Sequence, residues 1–85
     1  MKRIQSINEI LKKQCLNKLR DDLREKYYYT NRAVKIYRLN NNIFFNLKTR
    51  AVNINYIKDF ISTIDKNYIN KIFKKNMNFI IRPCL

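Results

Sequence analysis

No glycine occurs anywhere in the 85 residues, and that absence constrains the fold more than any residue that is present. Glycine enters positive φ without a steric penalty, so tight turns and helix ends here must be built from residues that carry a Cβ. Asn is the best-tolerated substitute in that region, and positive-φ positions are therefore expected to fall to Asn. The triplet Asn40–Asn42 can supply a short loop containing one left-handed residue. The same absence removes a class of functions. Neither G-x-x-x-x-G-K-[ST] nor G-x-G-x-x-G can be written without glycine, so the usual backbone cradles for nucleotide phosphates are unavailable.

The remaining pattern predicts a small α+β fold. Ile4, Ile7, Leu11, Cys15, Leu19, Leu23 and Tyr27 recur every three or four residues, widened by Ile10 and Leu16. They define a long N-terminal helix from about Ser6 to Tyr29. Ser6 and Glu9 match the S-x-x-E capping box, and Glu9–Lys13 and Asp22–Lys26 are spaced for i,i+4 pairing. Val34–Leu39 then alternates, the Asn triplet interrupts, and Ile43–Leu47 reads IFFNL, which together predict a short β-hairpin. The alternative is an all-α chain with an extended tail, in which Asn31–Leu39 continues or follows the first helix. From Asn53 the helical period returns through Ile57, Phe60, Ile61, Ile64, Tyr68, Ile72 and Phe73, with Asn53 or Asn55 as the cap. Ser62–Asp65 fits either a break between two helices or the polar side of one. Pro83 ends any helix by about Arg82, and Phe79, Ile80 and Ile81 form an apolar plug.

Composition enters through charge. Lys and Arg number 19 against 6 Asp and Glu, a net charge of +13 with no histidine. On a single domain this short, the self-repulsion opposes compaction and points to a polyanionic partner. Without histidine there is no imidazole acid–base catalyst and no His/Cys zinc cluster, and two cysteines, Cys15 and Cys84, make no disulfide framework. They read as two free thiols; one bridge between them would need the tail to fold back onto the first helix. The acids form no two-carboxylate or metal constellation, so no enzymatic activity, cofactor or metal is expected. Asn, Ile and Lys supply 38 of the 85 residues, the bias of an A/T-rich codon pool, and part of the Asn and Lys content is discounted for that reason.

No uncharged run approaches the 18 or so apolar residues of a membrane span, although the composition leaves peripheral contact with a membrane surface open. The opening MKRIQSINEILKKQCLNKLR is basic and amphipathic, and out of context would pass for a mitochondrial presequence. Its presence in the chain sets the expectation of a protein made where it works, or one whose address is not cleaved.

The strongest functional signal is basic residues interleaved with aromatics and amides. Lys26, Tyr27, Tyr28, Tyr29, Asn31, Arg32, Lys35, Tyr37 and Arg38 crowd one window, a mixture suited to phosphates through charge and unpaired bases through stacking. Lys48 and Arg50 extend this zone. A second zone comprises Lys66, Asn70, Lys71, Lys74 and Lys75, with Lys71, Lys74 and Lys75 expected on one side of a helix and Lys58 and Arg82 at its edges. The candidate nucleic-acid-binding residues are therefore Arg32, Lys35, Arg38, Lys48, Arg50, Lys66, Lys71, Lys74 and Lys75. These features suggest a structural component of a large ribonucleoprotein, such as a ribosomal protein contacting rRNA and neighbouring subunits. The expected location is a mitochondrion or other organelle, or the cytoplasm of an A/T-rich organism. A second reading is a non-catalytic accessory subunit of a respiratory or other membrane-associated complex, and a third, sequence-reading helix-turn-helix from Ile54 to Lys75 is disfavoured because it lacks a defined set of base-reading side chains.

Overall fold

The computed structural model describes residues 6–85. Helix α1 spans Ile7–Tyr27, strands β1 and β2 span Val34–Leu39 and Asn42–Leu47, helices α2 and α3 span Ile54–Thr63 and Lys66–Phe73, and strand β3 spans Asn78–Arg82. The sheet order is β1-β2-β3, with β1 antiparallel and β3 parallel to β2. The small α+β fold with its long first helix and hairpin is the expected one. Its C-terminal segment holds two helices and a further strand where helical structure followed by an apolar plug was expected.

Each helix boundary has a local cause. The Ser6 hydroxyl accepts the Glu9 amide at 3.2 Å and opens α1, as a capping-box residue should. Ile4 lies outside the described residues. The helix ends at Tyr27, two residues earlier than expected, because Tyr28 turns left-handed at φ 63° while its amide still donates to the Arg24 carbonyl at 2.7 Å. Asn53 caps α2 through the Asn55 amide at 2.9 Å. Near its end the hydroxyls of Ser62 and Thr63 donate back to the carbonyls of Asp59 and Phe60 at 2.6 and 2.7 Å, competing with the ladder. Ile64 then becomes extended, and Asp65 starts α3 by accepting the Tyr68 amide at 3.1 Å. The polar stretch Ser62–Asp65 is therefore a break. It rephases the pattern: Ile69 is buried and Tyr68, expected on the apolar face, is 55% exposed.

Asn40 and Asn41 alone connect β1 to β2, with Asn42 already paired to Leu39. Only the first of these two loop residues has positive φ, 55°, the pattern of a type II′ hairpin turn. The expectation that positive φ falls to Asn holds here but not at Tyr28 or at Lys74, which closes α3 at φ 58°. At α1 and α3 the residue after the last turn takes the left-handed geometry common at helix C-termini, and without glycine those two positions carry full side chains.

One hydrophobic cluster joins Cys15, Leu19 and Leu23 of α1 to alternate residues of β1 and β2, to Ile57 and Phe60 of α2, and to Ile69 and Phe73 of α3. The helices therefore share one face of the sheet. The parallel β2–β3 pairing needs a crossover of a dozen residues or more, and α2 and α3 fill it. Tyr27 stitches the two ends of the helical layer together: its hydroxyl donates to Asp59 at 2.8 Å and its ring stacks on Tyr56 at 5.4 Å. The Tyr29 hydroxyl accepts the Asn53 amide at 3.1 Å. Hydrogen bonding to the Asp59 carboxylate, reinforced by burial, pushes the Tyr27 phenol above its ordinary pKa.

Candidate nucleic-acid interface

The register divides the sheet into two unlike faces. Val34, Ile36 and Arg38 of β1, Ile43, Phe45 and Leu47 of β2, and Phe79 and Ile81 of β3 point toward the helices. The intervening residues form three cross-strand rows on the other face: Lys35–Asn46–Arg82, Tyr37–Phe44–Ile80 and Leu39–Asn42–Asn78. None of these nine belongs to the core cluster beneath the helices. Tyr37 and Phe44 stack at 5.2 Å with an interplanar angle of 24°. The Lys35 ammonium lies 5.6 Å from the Tyr37 ring and the Arg82 guanidinium 4.4 Å from the Phe44 ring, within the range of cation–π attraction. Phe44 is thereby reduced to 5% exposure with no helix above it. Asn78 donates to the Asn42 side chain at 3.2 Å in the third row.

The candidate cations do not form two continuous zones. Lys35 sits on the open sheet face, whereas Arg38, three residues on, faces the helices, its guanidinium 5.5 Å from the Phe73 ring. This sets Arg38 against the last residue of α3. The Arg38 guanidinium also donates to the Asn40 carbonyl at 3.1 Å and the Asn78 amide to the Asn41 carbonyl at 2.8 Å, so the segment that leaves α3 through Lys74 and Lys75 runs to the hairpin tip. Lys74 and Lys75 lie beyond the end of α3 and do not share a helix side with Lys71 as expected, since the left-handed Lys74 terminates the helix. Arg32, Lys48 and Arg50 are exposed at the opposite end of the hairpin, where the Lys48 amide donates to the Ala33 carbonyl at 2.8 Å. Lys66 is apart from both groups at the start of α3, with its ammonium 3.3 Å from the Ile61 carbonyl and 5.8 Å from the Phe79 ring. Of the three clustered tyrosines, Tyr27 and Tyr29 are spent on packing α1 against α2, and only Tyr28 is free, at 85% exposure.

Charge is partitioned as unevenly as shape. Glu9, Asp21, Asp22 and Glu25 place four of the six acids on α1, and none occurs from Lys26 through Lys58. Three ion pairs form among the described residues, Glu9–Lys12, Lys18–Asp22 and Asp21–Arg24, all within α1. The expected Glu9–Lys13 and Asp22–Lys26 pairs are replaced by these neighbours. None of the nine candidate cations pairs with a carboxylate of the described residues.

Phe44, Asn46 and Ile80, with Leu39, Asn42 and Asn78, complete the open face and were not among the candidates. Their signal lay in strand alternation: adjacent Phe44 and Phe45 cannot both face the core. A concavity of about 340 Å³ lies between α1 and the α2–α3 break, lined by Leu11, Cys15, Phe60, Ile64 and Tyr68 among others. Asp22 and Asp65 border it, which makes it unsuited to phosphate. Cys15 is buried there and burial raises its thiol pKa, while Cys84 is a second free thiol. Among the described residues no three His, Cys, Asp or Glu side chains come together, and no helix is long and apolar enough to cross a membrane. The chain matches no family model, and no curated protein or solved structure matches it.

Proposed function

We propose that this chain is a non-catalytic, RNA-binding structural component of a large ribonucleoprotein, most simply a ribosomal protein contacting rRNA in a mitochondrion or another organelle. The observation that carries the reading is the set of nine exposed or half-exposed cations that, among the described residues, have no carboxylate partner, while the three ion pairs found there all lie within α1. Unpaired cations on an acid-free hairpin are suited to displacing counterions from a phosphate backbone. Contacts of this kind fix position without reading sequence. The half-buried and exposed apolar residues at the start of α1, Ile7 above all at 76% exposure, suit packing against a neighbouring subunit.

The test is purification of the tagged chain with its native assembly, followed by ribonuclease digestion. Release of the chain with fragments of RNA, and cross-links from the hairpin-tip lysines to RNA, are the expected results. Retention on a protein or membrane complex after complete digestion would overturn the proposal in favour of an accessory subunit of a membrane-associated assembly.

A further inference from the structure

We infer that the open sheet face is a stacking site for the unpaired bases of a single-stranded RNA, with Tyr37 and Arg82 as the contact residues. The inference rests on the RNA-binding reading above and adds to it a place and a substrate form. The face offers the three things such a ligand requires: a planar aromatic surface, flanking cations and side-chain amides. Tyr37 is half-buried and one face of its ring is held against Phe44, 5.2 Å away and 24° from parallel, so a base can settle on the opposite face without first ordering the ring. The Arg82 guanidinium carbon lies 4.4 Å from the centre of the Phe44 ring and helps to cover it, leaving the ring 5% exposed. The guanidinium plane is the surface a second base meets, and Phe44 is the floor beneath it.

Electrostatics select the occupant. No acid occurs in any of the three strands, so nothing on the face repels phosphate or offers a partner to a basic peptide. Lys35 and Arg82 stand at the two ends of one cross-strand row with Asn46 between them. Both cations therefore lie along one side of the middle row, where they meet the backbone of a strand of bases laid over it, while the amides of Asn42 and Asn78 line the other side. Duplex RNA would present its backbone to these cations but no unpaired base face to Tyr37, and its binding would not use the ring.

The experiment compares the full chain and its variants on three probes: a single-stranded oligoadenylate, an RNA duplex of equal length, and inorganic polyphosphate of matched charge. Tyr37→Ala should weaken oligoadenylate binding roughly 5- to 100-fold, the range for losing one stacked base, and leave duplex and polyphosphate binding unchanged. Tyr37→Phe should bind oligoadenylate like the parent. Arg82→Lys should lose several-fold on oligoadenylate alone, because an ammonium keeps the charge but not the stacking plane. The salt slope of Tyr37→Ala should equal that of the parent, since no phosphate contact is removed. Tyr37→Leu, which preserves apolar cover over the sheet, repeats the measurement should the alanine variant unfold. Equal affinity of parent and Tyr37→Leu for oligoadenylate, or an equal loss on all three probes, would overturn the stacking site while leaving an RNA-binding protein. Failure of the parent to bind any of the RNA probes would overturn both. Capture of an acidic protein that Tyr37→Leu no longer binds, with no RNA effect, would make the face a protein-docking surface and refute the inference.

Discussion

A glycine-free chain that still uses left-handed residues should be stabilised by glycine at those positions, and Tyr28 is the cleanest place to ask. It sits at φ 63°, ψ 20° immediately after α1 and its side chain is 85% exposed. A residue with a Cβ in this region costs about 1–2 kcal/mol relative to glycine. Glycine in turn loosens the unfolded chain, a loss of about 0.4–1 kcal/mol. The ring makes no contact large enough to offset the difference, so Tyr28→Gly should stabilise the fold by about 0.5–1 kcal/mol, equivalent to roughly 3–6 °C for a chain of this size. Lys74→Gly, at φ 58° after α3, should give a similar gain, and Asn40→Gly a smaller one, because Asn tolerates the region better than Tyr or Lys. Urea unfolding followed by circular dichroism, at one sulfate concentration that gives the parent a cooperative transition and with an unchanged m value, measures all three. The two helix-end variants then separate backbone from charge. Tyr28→Gly should leave the salt dependence of RNA binding unaltered, whereas Lys74→Gly should reduce its slope by about 0.7 while also raising stability. If Tyr28→Gly melts at or below the parent temperature, the left-handed assignment or the idleness of the ring is wrong, and the reasoning fails.

Three other outcomes follow from the packing and the charge. Phe45→Ala, at 0% exposure in the helix-side core, should cost about 3–5 kcal/mol and abolish cooperative unfolding, whereas Phe44→Ala on the open face should cost less and leave the helices in place; far-UV circular dichroism distinguishes them. The Tyr27 phenol is held protonated by its bond to Asp59, so its contribution to stability is present in full below its unfolded pKa and is lost as pH rises through the raised folded value. A pH series of melts should therefore show a loss of stability in the parent starting near pH 10.0, the ordinary tyrosine value, a loss that is blunted in Tyr27→Phe. The isolated chain, carrying +13 on 85 residues, should be poorly folded at low ionic strength and gain a cooperative transition on addition of sulfate or RNA; a stability above about 5 kcal/mol in plain buffer, typical of autonomous domains, would contradict this.

The parts of the fold legible in the sequence are those whose signals are local. Ser6 with Glu9 announced α1, and the triplet Asn40–Asn42 between alternating strands announced the hairpin, because a cap and a turn each act over three or four residues. Strand β3 carried no such signal. NFIIR is a short apolar run that fits a strand or a buried helix end equally, and its partner β2 is separated from it by two helices. Tyr68 and Ile69 exchanged roles because a periodicity extrapolated through Ser62–Asp65 loses its phase when the helix breaks. Residue type identified the cationic, aromatic character of the site, but its arrangement depended on strand parity: Lys35 and Arg38, three apart in one strand, occupy opposite faces. Arg82 reached Lys35's row only through the parallel pairing that the sequence left unannounced.

That pairing also explains how a face so rich in cations is compatible with folding. Lys35 and Arg82 are two strands apart, about 10 Å at the usual strand spacing, with the neutral Asn46 between them. At that separation in water two unit charges repel by about 0.4 kcal/mol, and physiological salt screens much of this. Adjacent strands would double the repulsion. Each cation also lies over a ring, Lys35 over Tyr37 and Arg82 over Phe44, an attraction of about 0.5–1 kcal/mol at exposed sites. The attraction is therefore at least comparable to the repulsion, and the row is stable without any carboxylate to neutralise it. A carboxylate would have supplied stability at the expense of phosphate binding. The aromatic row does the same work while leaving both charges available to an anion, which links the local energetics of the sheet to the function proposed for it.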